Sequence, residues 1–291
     1  MTIEIPQLFE RRDRPVFSFE FFLPKAPDDV SAFLRTAAEL KSLEPGFVTL
    51  TYGAGGSGRE KTIETAGLLQ KEVGIPTACH LTCITHTREE IAAILDRLEA
   101  LEIRSVVALR GDQPKDAAVP PPDKRDFGYA RDLVAFIKRR GGFRLAVAGY
   151  PETHPEAPSP EFDLGNLKAK VDAGGDWVIT QLFFDNADYF RFVERARAAG
   201  VSAPIVPGLM PVTGYQQLKR FSQVCGAGIP AELMHRLDAV QHDPEAVVAC
   251  GIEWATRQCR GLLAGGAPGV HFYTLNRSRS TAEILRRLRK G

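Results

Sequence analysis

Residues 17–22 read Phe-Ser-Phe-Glu-Phe-Phe, an aromatic run with one acid inside it. In a strand, successive side chains point to opposite faces, so Phe17, Phe19 and Phe21 share one face while Ser18, Glu20 and Phe22 share the other. A strand this apolar fits a parallel sheet covered by helices, with the phenylalanines under the helices and Glu20 turned towards an interior. An isolated carboxylate there is costly to ionise, and Glu20 is expected to keep its proton, as a general acid must near neutral pH. The structural alternatives are pairing with a buried cation or a place at a solvated strand end.

Seven further strands follow at similar intervals: 47–52, 77–82, 105–110, 145–148, 177–183, 205–209 and 270–275. Between them lie stretches of helical periodicity, such as Val30, Phe33, Leu34, Ala37, Ala38 and Leu40. Eight strands alternating with helices, without a linker or a repeat, predict a (β/α)8 TIM barrel of the α/β class, one catalytic domain over residues 1–291. A doubly wound sheet is the alternative. The polar residues favour the barrel, because Glu20, Thr51, His80, Asp112, Tyr150, Gln181 and Arg277 all fall at or just past strand C-termini. Barrel enzymes build their sites on that rim.

Composition narrows the function classes. A net charge of +1 gives no electrostatic case for nucleic acid or an anionic membrane, so a small-molecule ligand is expected. The N-terminus lacks the regions of a signal peptide and no apolar run reaches spanning length, which predicts a cytoplasmic protein. Cys79, Cys83, Cys225, Cys250 and Cys259 show no Cys-x-x-Cys pairing, which points to buried thiols and to neither a disulfide framework nor a zinc site.

Four features of the rim need weighing. Gly53-Ala54-Gly55-Gly56-Ser57-Gly58 has the spacing of a dinucleotide fingerprint, but Arg59-Glu60-Lys61 follows at once and strand 77–82 ends without the acid that grips a ribose. A loop at the barrel mouth is the preferred reading. Arg110-Gly111-Asp112 either holds a polar ring or phosphate or closes a salt-bridged turn. His80 has no second histidine or carboxylate at ligand spacing, so no metal is expected, while the amide of Gln181 must be satisfied by neighbours or by a heteroaromatic ligand.

Taken together, the chain resembles the bacterial type of methylenetetrahydrofolate reductase. The likeness rests on Ser-Phe-Glu-Phe-Phe at 18–22, Val-Thr-Leu-Thr-Tyr-Gly-Ala at 48–54, His-Leu-Thr-Cys-Ile at 80–84 and Ala-Leu-Arg-Gly-Asp at 108–112. It continues through Tyr-Pro-Glu-Thr-His-Pro-Glu at 150–156, Ile-Thr-Gln-Leu-Phe-Phe-Asp at 179–185, Pro-Gly-Leu-Met-Pro-Val at 207–212 and His-Phe-Tyr-Thr-Leu-Asn-Arg at 271–277.

The resemblance implies an oxidoreductase that uses FAD and reduces 5,10-methylenetetrahydrofolate to 5-methyltetrahydrofolate. It further implies a ping-pong cycle with NADH or NADPH as co-substrate, a role in one-carbon metabolism and methionine synthesis, and a homo-oligomer. It places the flavin on Tyr52, Ala54, His80, Arg110, Gly111, Asp112, Tyr129, Ala130, Tyr150, His154, Asp163, Asn166 and Lys170. Folate and nicotinamide fall to Glu20, Thr51, Asp112, Gln181, Gln217, Phe221 and Arg277, with Glu20 and Asp112 catalytic: Glu20 protonates N10, and Asp112 anchors the pterin and tunes the flavin. Ala169 stands where some members carry a base beside Lys170, and Leu23 replaces a common proline. No regulatory domain, and so no feedback by S-adenosylmethionine, is expected in 291 residues. Two rivals stay open at this point, a flavin-free nicotinamide oxidoreductase and a non-catalytic folate or flavin binder.

Overall fold

The computed structural model describes residues 4–11, 14–24, 26, 29–52, 59–113 and 119–290. Its eight strands are β1 (Val16–Phe21), β2 (Phe47–Leu50), β3 (Thr77–Thr82), β4 (Ser105–Leu109), β5 (Arg144–Gly149), β6 (Trp177–Leu182), β7 (Ile205–Leu209) and β8 (Gly269–Tyr273). They pair in parallel and in chain order, and β8 closes on β1 with Val16 beside Gly269 through to Glu20 beside Tyr273. The expected barrel is the observed one.

The alternation in residues 17–22 sorts as expected. Phe19 and Phe21 are fully buried on the outer face, where they pack with Phe33, Ala37 and Leu40 of helix α2 (Asp29–Lys41). Burying each is worth roughly 1.5–3 kcal/mol, which fixes the strand's register. The opposite face turns Ser18 and Glu20 inward, beside Phe47 and Thr49 of β2.

Helix α1 (Ile5–Glu10), which periodicity did not reveal, closes the bottom of the barrel. Its Ile5 and Phe9 pack with Val16, Phe47 and Trp177, so the lower interior is an apolar plug. Above it, the interior carries the polar side chains of Ser18, Thr49 and His271. Because the plug seals the lower end, the site opens only at the strands' C-terminal ends.

The surrounding helices are α3 (Arg59–Leu68, prolonged by a π turn over Leu69–Val73), α4 (Arg88–Ala100), α5 (Ala130–Arg140), α6 (Pro160–Asp172) and α7 (Asn186–Ala198). Between β7 and β8 the chain makes α8 (Tyr215–Cys225), α9 (Ala231–Asp238) and α10 (Pro244–Ala264), and α11 (Arg279–Arg289) follows β8. Sequence periodicity over about 215–224 and 245–263 predicts two of these helices, and α9 lies between them. Helix α9 is short, with Leu233 and Leu237 as its buried residues, so its periodic signal is brief. Together with Met210, Leu218 and Trp254 they form a separate apolar cluster under the β7–β8 side of the mouth.

Two helices that frame the mouth are capped by local sequence. In α4, Thr87 and Glu90 form a reciprocal capping box, and in α6 the Ser159 hydroxyl accepts from Phe162 N–H with Pro160 following. A start fixed at Ser159 sets Asp163, Asn166 and Lys170 at steps of three and four, along one helix face.

Candidate active site

A cleft of about 1100 Å³ lies across the C-terminal ends of β2 to β5, large beside the roughly 300–1,000 Å³ of ordinary ligand pockets. Of the expected flavin residues it is lined by Tyr52, His80, Arg110, Gly111, Asp112, Tyr129, Ala130, Tyr150, His154, Asp163, Asn166 and Lys170. Ala54 and the glycine-rich loop 53–58 lie outside the described residues. Thr51 joins the lining from the expected substrate set, and its Oγ1 accepts from Leu23 N–H at 3.2 Å.

Lys170 is the cleft's most telling cation. Its Nζ donates to the Ala148 carbonyl at 2.6 Å, and burial pushes its pKa down to about 8 while the Asp163 charge opposes the shift. Among the described residues it makes no salt bridge, so an anionic group arriving here would meet a cation with room for a direct partner. The N-terminus of α5, at Tyr129 and Ala130, faces the same cleft, with the Tyr129 N–H itself donating to the Asp132 carboxylate at 2.8 Å.

Gly111 follows β4 with φ of 89°, where a Cβ would sit 2.9 Å from the Cβ of Thr82. No other residue fits there without strain, and glycine lets the chain pass close against Thr82 and Ile84 at the end of β3. Arg110, next to it, is held by Glu156 through two bonds of 2.7 and 3.0 Å. The partner is thus Glu156 in the loop after β5, a residue the sequence did not single out, while exposed Asp112 remains directed at the cleft. His154 accepts from Glu156 N–H through Nδ1 at 3.0 Å, and its ring meets Tyr150 at 4.5 Å.

Glu20 sits at the floor of the mouth and is 7% exposed. Its Oε2 lies 3.3 Å from His80 Nε2, 3.6 Å from His271 Nε2 and 3.4 Å from the Thr49 hydroxyl, which donates to it. The His80 contact is close but misaligned, leaving Nε2 without a proper hydrogen bond. Sequence spacing gave His80 no partner, yet barrel closure brings it a carboxylate from β1 and a second imidazole from β8.

Here one expectation is corrected. Burial alone would raise the Glu20 pKa, but the nearby imidazoles of His80 and His271 lower it to about 2. In the ligand-free site Glu20 is therefore an anion, and does not hold the proton that its apolar flanks led us to expect. The sequence could not show this, since the imidazoles come from β3 and β8.

The remaining expected substrate residues do not line the cleft. Gln181 lies at a register irregularity of β6, its Oε1 accepting from Leu182 N–H at 2.8 Å, so its amide is partly satisfied by its own backbone. Gln217 and Phe221 lie on α8, with Phe221 packed on the β7–β8 apolar cluster and Gln217 Oε1 accepting from the Thr213 hydroxyl at 2.8 Å. Arg277 is exposed just beyond β8. Tyr273 spans this side, donating to the Thr180 carbonyl at 2.6 Å over Gly208, whose missing side chain leaves room for the ring.

The mouth thus has two compartments. One is a cleft with a half-buried cation over β2–β5, the other a rim of amides, an aromatic ring and an arginine over β6–β8. Glu20 lies between them.

The family model for methylenetetrahydrofolate reductase matches residues 5–289. The chain belongs to that family. A 5,10-methylenetetrahydrofolate reductase of Pectobacterium carotovorum is 38% identical over 281 residues, covering 97% of this chain and 92% of its own. The Escherichia coli protein of the same description is 38% identical over 271 residues, covering 93% and 90%. Methylenetetrahydrofolate reductase (NADH) 1 of Arabidopsis thaliana is 40% identical over 283 residues, and this chain spans only 48% of that relative's length. Among solved structures, a Clostridium thermocellum protein described as binding two copies of 5-methyl-5,6,7,8-tetrahydrofolic acid aligns with TM-score 0.65 over 97% of both chains, at 13% identity. That likeness bears on the fold, and it agrees with the closed barrel.

Proposed function

We propose that this chain reduces 5,10-methylenetetrahydrofolate to 5-methyltetrahydrofolate, with FAD in the cleft over β2–β5 and a reduced nicotinamide dinucleotide as electron source. The observation that carries the reading is the pairing of a large cleft around the half-buried Lys170 with the Glu20 carboxyl, which lies 3.3 Å from His80 of the cleft lining. Such a cleft suits a dinucleotide whose diphosphate needs a cation and backbone N–H groups. Lys170 and the N-terminus of α5 would hold that diphosphate, Gly111 would admit the ring system, and Asp112 and Tyr150 would face its edge. Bound flavin supplies a two-electron carrier between nicotinamide and folate.

The chain's own residues then handle binding and the proton. Gln181 and Asp112 would bond the pterin, Phe221 would stack on an aromatic ring of either substrate, and the planar fork of Arg277 would take a carboxylate. Glu20 would give a proton to N10 as the bond between N10 and the methylene carbon breaks, leaving an iminium at N5. That carbon accepts a hydride and becomes the methyl group, so each turnover consumes one reduced nicotinamide and one proton.

Glu20 must be protonated when it acts, although it is an anion in the free site. Its low proton affinity draws on the two imidazoles beside it, His80 and His271. Burial lowers the pKa of His271, favouring its neutral form. A ligand covering the mouth strengthens burial, the one influence that raises Glu20, and so favours the protonated carboxyl.

An anaerobic experiment on purified protein tests the reading. Visible absorption typical of flavin should bleach on adding NADH or NADPH and return on adding methylenetetrahydrofolate. A colourless protein, or one whose colour does not return with folate, would contradict it.

A further inference from the structure

Below Glu20 lies a buried titratable group that the chemistry above uses only as surroundings. His271 is 0% exposed, so no substrate can touch it, and any influence on the reaction must pass through a neighbour. Its ring is fixed from several sides. Nδ1 lies 2.8 Å from Ser18 Oγ, the ring stacks on Phe47 at 6.2 Å, and Tyr273 meets it edge-on at 5.4 Å.

Nε2 points the other way, 3.6 Å from Glu20 Oε2 and 3.5 Å from Thr49 Oγ1, which itself donates to Oε2 at 3.4 Å. If Ser18 donates to Nδ1, the neutral ring carries its proton on Nε2, facing the carboxylate and the threonine. Ser18, His271 and Thr49 then form a chain of donors that ends on one oxygen of Glu20. The titratable groups facing this point are Glu20 from β1, His80 from β3 and Tyr273 from β8, while Ser18, Thr49 and Phe47 carry no charge.

We propose that His271 is a positioning residue that sets the proton affinity of Glu20, its Nε2–H stabilising the carboxylate so that the acid releases its proton to N10 readily. This rests on the reading of Glu20 as the acid of the folate step. The physical need is plain: a carboxyl covered by a ligand and lacking donors would bind its proton too tightly to be an efficient acid near neutral pH. A donor beneath the carboxyl, out of reach of substrate, corrects that without competing for the ligand.

The test is the pH dependence of folate reduction by the reduced holoenzyme, followed by stopped flow. The rate should fall at high pH as Glu20 loses its proton. In His271→Leu the anion loses a donor, so this alkaline limb should move up by at least about one pH unit, with a slower rate on the plateau. Ser18→Ala should move it the same way by less, and His271→Gln, which restores an N–H near the Nε2 position, should return it towards the parent. The pH profile of flavin reduction by nicotinamide should not follow these shifts, as it would if the barrel were simply disturbed.

An alkaline limb unmoved in His271→Leu overturns the inference. Should that variant not fold, an unmoved limb in Ser18→Ala does the same. Glu20→Gln separates the two levels. If the limb persists there, Glu20 is not the acid and both readings fall; if it vanishes there yet stays unmoved in the His271 and Ser18 variants, only the role of His271 falls.

Discussion

The side chain of Asn276 is bonded in both directions to the backbone of Phe22: Phe22 N–H donates to Oδ1 at 2.8 Å, and Nδ2 donates to the Phe22 carbonyl at 2.9 Å. This clip ties the end of β1, two residues beyond Glu20, to the turn after β8. Leu275 and Asn276 both have positive φ, 52° and 57°, a conformation that side chains other than glycine adopt at a cost. The turn is held there by the clip and by Arg277 N–H donating to the Thr274 carbonyl at 2.9 Å.

Arg277 follows the strained pair directly, so the clip should aim it. We expect Asn276→Ala to raise KM for methylenetetrahydrofolate about tenfold, since two neutral hydrogen bonds are worth roughly 0.5–1.5 kcal/mol each. Flavin reduction by nicotinamide should keep its rate. Steady-state kinetics with varied folate checks this, and an unchanged KM would show that Arg277 is aimed by other contacts.

Lys170 should anchor the flavin. Replacing it by alanine removes a charge-assisted contact worth roughly 1.5–3 kcal/mol, which weakens flavin binding about 10- to 150-fold. Equilibrium dialysis measures the loss, and equal retention by parent and variant would remove Lys170 from the site. The flavin-free protein offers a second check. The pKa of Lys170 is lowered to about 8 in the folded state, so the unfolded chain binds more protons between that value and the ordinary lysine range. Its contribution to stability is fully present above the unfolded pKa and is lost as pH falls through about 8. Urea unfolding should therefore show a gain in stability from pH 8 upward in the parent relative to Lys170→Met.

Much of this was legible in the sequence because period-two alternation and strand-end chemistry are local. The inward turn of Glu20, the eight strands, and the placing of Thr51, His80, Asp112 and Tyr150 on the rim all follow from such local signals. The charge state of Glu20 was not legible, because His80 and His271 reach it only after the barrel closes. The same holds for Glu156, which meets Arg110 from the loop after the next strand. His271 could have been found: it alternates with Tyr273 on β8, so once the inner face of that strand is known, it must point at the interior beside Ser18.

Gly111 should tolerate no side chain. With φ of 89° and the Thr82 Cβ 2.9 Å from where a methyl would stand, Gly111→Ala should cost roughly 1–3 kcal/mol of stability and lower Tm by several degrees. Flavin retention should fall with it. A calorimetric Tm equal to the parent's would show that this turn relaxes at no cost.

For the electron donor we expect NADH. Comparing kcat/KM for NADH and NADPH at one pH decides the matter, and a clear preference for NADPH would overturn the expectation.

The central claim is that Glu20 is the acid of the folate step, and Glu20→Gln tests it most directly. Glutamine keeps the shape and the contacts with Thr49 and His271, but has no acidic proton to give. Stopped flow on the separate half-reactions should show flavin reduction by nicotinamide little altered and methylenetetrahydrofolate reduction slowed by at least roughly 10²- to 10⁴-fold. Equal loss in both halves would make Glu20 a structural support of the mouth, and no loss in either would mean that the proton reaches N10 from another group.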